Sequence, residues 1–331
     1  MLGGFLALLS AASFAAESAT VRRGVLTASV MQAMAITIPL GVPLFFLVAL
    51  VFGSLGHVLT FSPTAIFWLS MAGIVHFVWG RYCNYRASKA VGANLVAPVQ
   101  QLSLIVTLVL SIWILAESLT PLRIFGIALV IIGPALAYER EKKNDGPDAA
   151  ANPAARKLFE PKYAEGYFWG LMSATGYGAS PIFVSLGLES GGLSVSLAAG
   201  LVSYVAATVA FALLFVLPGQ IAHVRSLDRE SGKWFVVSGF FVCAAQMFRY
   251  MALSLAPVSV VAPIQRLSVL FRFWFARLFN PQHEVFGGKM VAATAVSLTG
   301  ALALSLSTEM VQSLLPLPEW LATFLNWRWP N

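Results

Sequence analysis

Charge is scarce in this chain. Of 331 residues, 21 are Lys or Arg and 14 are Asp or Glu, together 11%, against about 25% in an average soluble protein. With 58% hydrophobic residues and a mean hydropathy of +0.79, that deficit excludes a soluble globular protein. Cysteine is nearly absent too. Cys83 and Cys243 are the only two, and both fall in apolar segments, so neither a disulfide framework nor a thiolate metal site is supported. The four histidines, His57, His76, His223 and His283, have no ligand spacing, and no H-E-x-x-H, Walker or G-x-S-x-G pattern occurs. Nothing calls for a metal, a cofactor or enzyme chemistry. The net charge of +7 and pI near 9.6 do not signal a nucleic-acid partner, because the basic residues stand between apolar stretches, where they set membrane orientation.

What the chain has in abundance is apolar runs. A membrane-spanning helix needs about 20 mostly apolar residues, and ten such stretches follow one another at about 2–21, 28–52, 64–83, 93–116, 119–138, 166–186, 193–217, 234–253, 257–279 and 287–307. The expected fold is an all-α membrane protein of ten transmembrane helices. A single hydrophilic stretch, 139–165, contains Asn144-Asp145-Gly146-Pro147 and Asn152-Pro153 and reads as a linker. It separates a five-helix unit, 1–138, from a second, 166–307, and a tail follows at 308–331. The first run resembles a signal peptide in its small residues, yet it lacks a basic start and has a counterpart after the linker, so it is expected to be retained. In the tail, Trp320, Leu321, Phe324, Leu325 and Trp327 share one side, as in a helix lying in the membrane interface.

The two units look like copies. Shifting the chain by 165 residues aligns Tyr85 with Tyr250, Ala87 with Ala252, Val96-Ala97-Pro98 with Val261-Ala262-Pro263, Gln100 with Gln265, and Leu102-Ser103 with Leu267-Ser268. The Pro and Gln coincidences are not explained by apolar composition. Five helices per copy would place the second upside down, as an inverted repeat. The Lys/Arg count fits: sixteen fall in loops on the linker side and three, Arg123, Arg249 and Arg328, on the other. By the positive-inside rule the linker is cytoplasmic and both termini lie outside, in the cell (inner) membrane.

Ten spans in two inverted halves, each with a Pro in its fourth helix, a Glu at that helix's end (Glu117, Glu284) and a small-residue last helix, resemble the EamA-type transporters of the drug/metabolite superfamily. The second half departs from the family pattern with His283 before Glu284 and Ala292-Ala293 beyond it. The resemblance implies alternating access of a small organic solute through a cavity between the halves. It also implies both termini in the cytoplasm, the opposite of the charge count.

Polar residues within spans are the informative ones, because lipid tolerates them only against the bundle interior, a cavity or a partner. Gln100, Ser103, Thr107 and Ser111 form a stripe on one face of the fourth span, and Gln265, Ser268 and Arg272 repeat it in the ninth. Arg272 lies inside its span, and Arg266 lies deeper, about 100° off the stripe. Either guanidinium could take a carboxylate or phosphate by a bidentate fork. His76, Trp79 and Tyr177 complete the candidate substrate-binding set, and Pro98 and Pro263 are expected to break their helices at equivalent places. Interhelical hydrogen-bond glue is the competing explanation for the stripes. Glu17, with Arg22 and Arg23 close by, is expected at the interface, leaving no carboxylate at a span centre and little basis for proton coupling. The leading function is a transporter of a small, negatively charged organic metabolite. A flippase for a lipid-linked anion and a non-transporting scaffold are the alternatives. The expected partners are the lipid bilayer and this solute, with self-association into a homo-oligomer left open.

Overall fold

The computed structural model describes residues 2–115, 120–143, 161–188, 192–256, 261, 264–280, 288–305, 311–312 and 318–328. Within them the secondary structure is helical. Helix α1 spans Leu2–Val25, α2 Val30–Thr37, α3 Gly41–Val51 and α4 Pro63–Gly73. A π-helical stretch, Ile74–Gly80, runs into α5, Arg81–Val91. Then come α6 Ala93–Gln101, α7 Ser103–Leu115, α8 Pro121–Lys143, α9 Tyr163–Gly187 and α10 Leu193–Ala212. The chain continues as α11 Gln220–Arg225, α12 Arg229–Leu255, α13 Ser268–Phe279, α14 Gly288–Ser305 and α15 Glu319–Leu325.

Local sequence explains many of the boundaries. Ser29 and Gln32 form a reciprocal capping box at the start of α2. Ser62 caps α4 with Pro63 in its first turn, and Asp228 caps α12 through the Ser231 N–H. Pro39, with no N–H, falls between α2 and α3 in what was read as one span. Gly92 takes φ +87 and turns the chain from α5 into α6.

Six stretches are long and apolar enough to cross a membrane: Leu2–Val25, Val30–Val51, Pro63–Val91, Ala93–Ile114, Leu193–Val216 and Arg229–Leu255. They coincide with the first, second, third, fourth, seventh and eighth expected spans. The other four expected spans overlap α8, α9, α13 and α14.

The halves interleave rather than stack as separate bodies. Helix α1 lies chiefly along α12 and α13 of the second half, while α9 lies along α4, α5 and α7 of the first. Helices α8 and α14 pair with each other. Their backbones meet closely: a Cβ added at Gly300 would stand 2.7 Å from the Val130 nitrogen and 2.8 Å from the Gly126 oxygen, an approach that only glycine permits. In the centre, Phe45, Phe77, Tyr204 and Tyr250 are fully buried, with the Phe77 and Tyr204 rings stacked at 4.1 Å.

Three arginines counted among loop charges are in fact interior. Arg22 is 0% exposed and donates to the Ser88 and Lys89 carbonyls, capping the last turn of α5, where the helix dipole favours a cation. Arg81 and Arg249 are each 2% exposed. Setting these aside leaves fourteen basic residues against two, so the bias survives with fewer charges carrying it.

Candidate solute-binding site

A buried cavity of about 90 Å³ lies between the halves. Its polar lining comprises Glu17, Ser18, His76, Arg81, Asn84 and Gln100 from the first half, with Tyr177, Arg249, Gln265, Arg266, Ser268 and Arg272 from the second. Among the described residues, four guanidinium groups therefore face one carboxylate.

Each polar group is held by a neighbouring helix. His76 sits in the π-helical stretch, a distortion common at functional sites because it redirects a side chain. Its Nε2 is 2.8 Å from the Gln246 amide nitrogen and its Nδ1 is 3.3 Å from an Arg249 nitrogen. Both neighbours are donors, an arrangement that disfavours a protonated ring, and a neutral imidazole accepts from one of the two. Arg249 also donates to Gln246 Oε1 at 3.2 Å and Ser180 Oγ at 3.3 Å. The Tyr177 ring lies 4.6 Å from the imidazole. Across the cavity, Arg272 donates to Gln100 Oε1 at 3.1 Å and to the Ala93 carbonyl at 3.3 Å, while the Gln100 amide nitrogen donates to Asn84 Oδ1. Arg81 donates to the Thr37 carbonyl at 3.0 Å and the Tyr204 hydroxyl at 3.3 Å, with its guanidinium 5.1 Å from the Phe77 ring centre. These partners are neutral, and they orient the guanidiniums toward the cavity.

The expected stripes divide. Gln100, Gln265, Ser268 and Arg272 line the cavity, and Gln265 donates to Ser10 Oγ at 2.9 Å. Ser103 and Thr107 are buried outside it. Ser103 donates back to the Gln100 carbonyl at 2.6 Å, and Thr107 donates to the Gly178 carbonyl at 2.8 Å, which ties α7 to α9. This is the glue role, and it follows from the break between α6 and α7, which separates Gln100 from the residues one and two turns on. Trp79 is also outside: it is 46% exposed and its indole nitrogen donates to the Met172 carbonyl. The side chain of Ser111 and Pro263, Glu117, His283 and Glu284 lie outside the described residues.

The helix break itself is repeated. Leu102 N–H donates to the Val99 carbonyl, and Ile105 N–H to the Leu102 carbonyl. At the same 165-residue shift, Leu267 N–H donates to the Ile264 carbonyl and Leu270 N–H to the Leu267 carbonyl. These three-residue bonds mark a tightened turn four positions after Pro98 in the first half and four after position 263 in the second.

Sequence reading missed Glu17, Arg81, Asn84 and Arg249. Glu17 is not interfacial: it is 4% exposed and lines the cavity, because α1 is covered by α12, α13 and α5 on that face. Asn84 was lost by ending the third span at residue 83, and Arg81 by counting it with the loop charges, whereas the helical run continues from Pro63 to Val91. The repeat register held the signal. Arg81-x-x-Asn84-Tyr85 aligns with Gln246-x-x-Arg249-Tyr250; Arg81, Asn84 and Arg249 line the cavity, and Gln246 reaches it through His76 and Arg249.

A helical bundle with several membrane-length apolar helices and a basic internal cavity defines a multi-pass membrane protein with a polar site at its core. Residues 1–138 match the EamA-like transporter family, in agreement with the resemblance to an EamA-type transporter of the drug/metabolite superfamily. Together with the apolar helices, the match supports a transmembrane transporter. A solved crystal structure at 16% identity superposes with a TM-score of 0.53, covering 92% of this chain and 96% of its own; at that identity the likeness shows the fold alone. No curated protein matches the chain.

Proposed function

We propose that the protein carries a small organic anion across the membrane by alternating access, through the cavity between two inverted five-helix halves at 1–138 and 166–307. One observation carries this reading: Arg81, Arg249, Arg266 and Arg272 converge with the single carboxylate of Glu17 on a cavity of about 90 Å³. Each buried ion costs several kcal/mol to desolvate, and four like charges repel one another. The bundle recovers that cost when an anion binds. The repeated break at Leu102 and Leu267 supports the duplication, and the remaining basic bias supports a cytoplasmic linker at 139–165 with both termini outside.

The cavity volume suits an anionic headgroup a few heavy atoms across, with sulfonates as stable mimics. Purified protein should gain thermal stability with ethanesulfonate and not with ethanol or ethylammonium, since a ligand bound only by the folded state raises the midpoint. Equal stabilisation by all three refutes the anionic assignment. A reporter fused to the C-terminus and found in the cytoplasm refutes the orientation.

A further inference from the structure

Resting on the anion-carrier reading, we propose that Glu17 is a proton-binding site, and that the anion enters the cavity together with one proton taken from water by this carboxylate. Among the described residues Glu17 is the only carboxylate in the cavity lining; it is 4% exposed and held on a helix packed on several sides. Ser18 Oγ donates to its carboxylate in a long bond of 3.4 Å, and the Tyr85 hydroxyl bonds it as well. Arg81 and Arg272 supply the opposite charge.

The charged and titratable groups facing it are few. Helix α5 presents Arg81 and Tyr85, α13 and the turn before it present Arg272 and Arg266, α12 presents Arg249, α9 presents Tyr177, and the π-helical stretch presents His76. His76 faces the Gln246 and Arg249 donors at its two ring nitrogens, which disfavours a second ring proton, and the tyrosines and arginines keep their protons near neutral pH. Glu17 is left as the group that exchanges one.

The coupling follows from volume and charge. In the empty cavity an ionised Glu17 is a built-in anion that neutralises part of the guanidinium charge. A solute anion entering about 90 Å³ comes within a few ångströms of it and competes for the same donors. Like charges at that separation disfavour joint ionisation. Protonating the carboxylate removes the competitor for the cavity's donors and balances the charge by one proton for one anion. By linkage, anion binding must then promote proton uptake and acid must tighten anion binding, by the same factor.

Ethanesulfonate does not titrate between about pH 5 and pH 8, so any proton change on binding belongs to the protein. Full-length detergent-purified protein is titrated with it calorimetrically, in two buffers of different ionisation enthalpy. Uptake of about one proton per anion, and affinity rising up to about 10-fold for each unit of falling pH, are expected. Glu17→Gln should bind with the tight low-pH affinity at every pH and take up no proton. Binding without proton uptake in the wild-type protein overturns the coupling and leaves the anion reading standing. Proton uptake that persists in Glu17→Gln overturns the assignment to this residue. Failure of ethanesulfonate to bind at any pH overturns both readings. Because the proton count is taken on the unaltered protein, the test survives a poorly folding variant.

Discussion

Replacing Arg266 by Gln should make the protein more stable while weakening its hold on an anion. Arg266 lines the cavity, its Nε is buried without a hydrogen-bond partner, and Arg249 and Arg272 are close enough to repel it. Taking about 10 Å between charge centres and an effective dielectric constant of about 20, each repulsion is about 1.7 kcal/mol, or about 3 kcal/mol for the two. The glutamine relieves both and removes part of the desolvation cost. With about 2 °C per kcal/mol for a chain of this size, the unfolding midpoint should rise by about 6 °C in detergent. Arg266→Lys, which keeps the charge, should give no such gain. In the same samples the affinity for ethanesulfonate should fall about 10- to 100-fold, the worth of one hydrogen bond to a charged group. A glutamine variant that melts lower than the wild type, with unchanged affinity, would show that Arg266 is a structural support and that the cavity is not a repulsive cluster awaiting an anion.

Other outcomes follow from the packing. Thr107→Val removes the bond to the Gly178 carbonyl and should cost about 1 kcal/mol in thermal unfolding; a loss of ethanesulfonate affinity with no loss of stability would return Thr107 to the pathway. Gly300→Val must push α8 and α14 apart, since even a Cβ would meet the Val130 nitrogen at 2.7 Å, and a destabilisation of about 1–3 kcal/mol is expected; an unchanged melting midpoint would refute the close pairing. The Ser231 N–H holds the Asp228 carboxyl below the usual carboxylate range. A depressed native value means stability that is present at neutral pH and lost as pH falls through it. The midpoint gap between wild type and Asp228→Ala should accordingly be widest at neutral pH and narrow in acid, and a gap independent of pH would remove Asp228 as the cap of α12.

How far sequence reading reached depended on whether the information was local. Cap residues, prolines and the Gly92 turn act within a few positions, and the boundaries they set appear where their chemistry requires. A break at Pro98 was expected; the helix runs through Pro98 and the tightened turn falls four residues on, at Leu102. Trp79 illustrates the opposite case. Its neighbours in sequence are polar and aromatic residues of the pathway region, but the π-helical stretch that turns His76 toward the cavity leaves the indole outside, and nothing short of the backbone path reveals that.

Scarce charge and repeated apolar runs were enough to establish a helical membrane protein, and the 165-residue register exposed the internal likeness of its halves. Both depend on composition and spacing along one chain. The content of the cavity was decided by tertiary structure. Arg81, Arg249 and Glu17 lie near span ends or beside other charges, where a helix taken alone assigns them to water. They are interior because α1 is covered by α12 and α13, and α5 by α9, contacts between residues up to hundreds of positions apart. Burial is a property of the face a neighbour covers, so a site of four arginines and one carboxylate appears only when the helices are assembled.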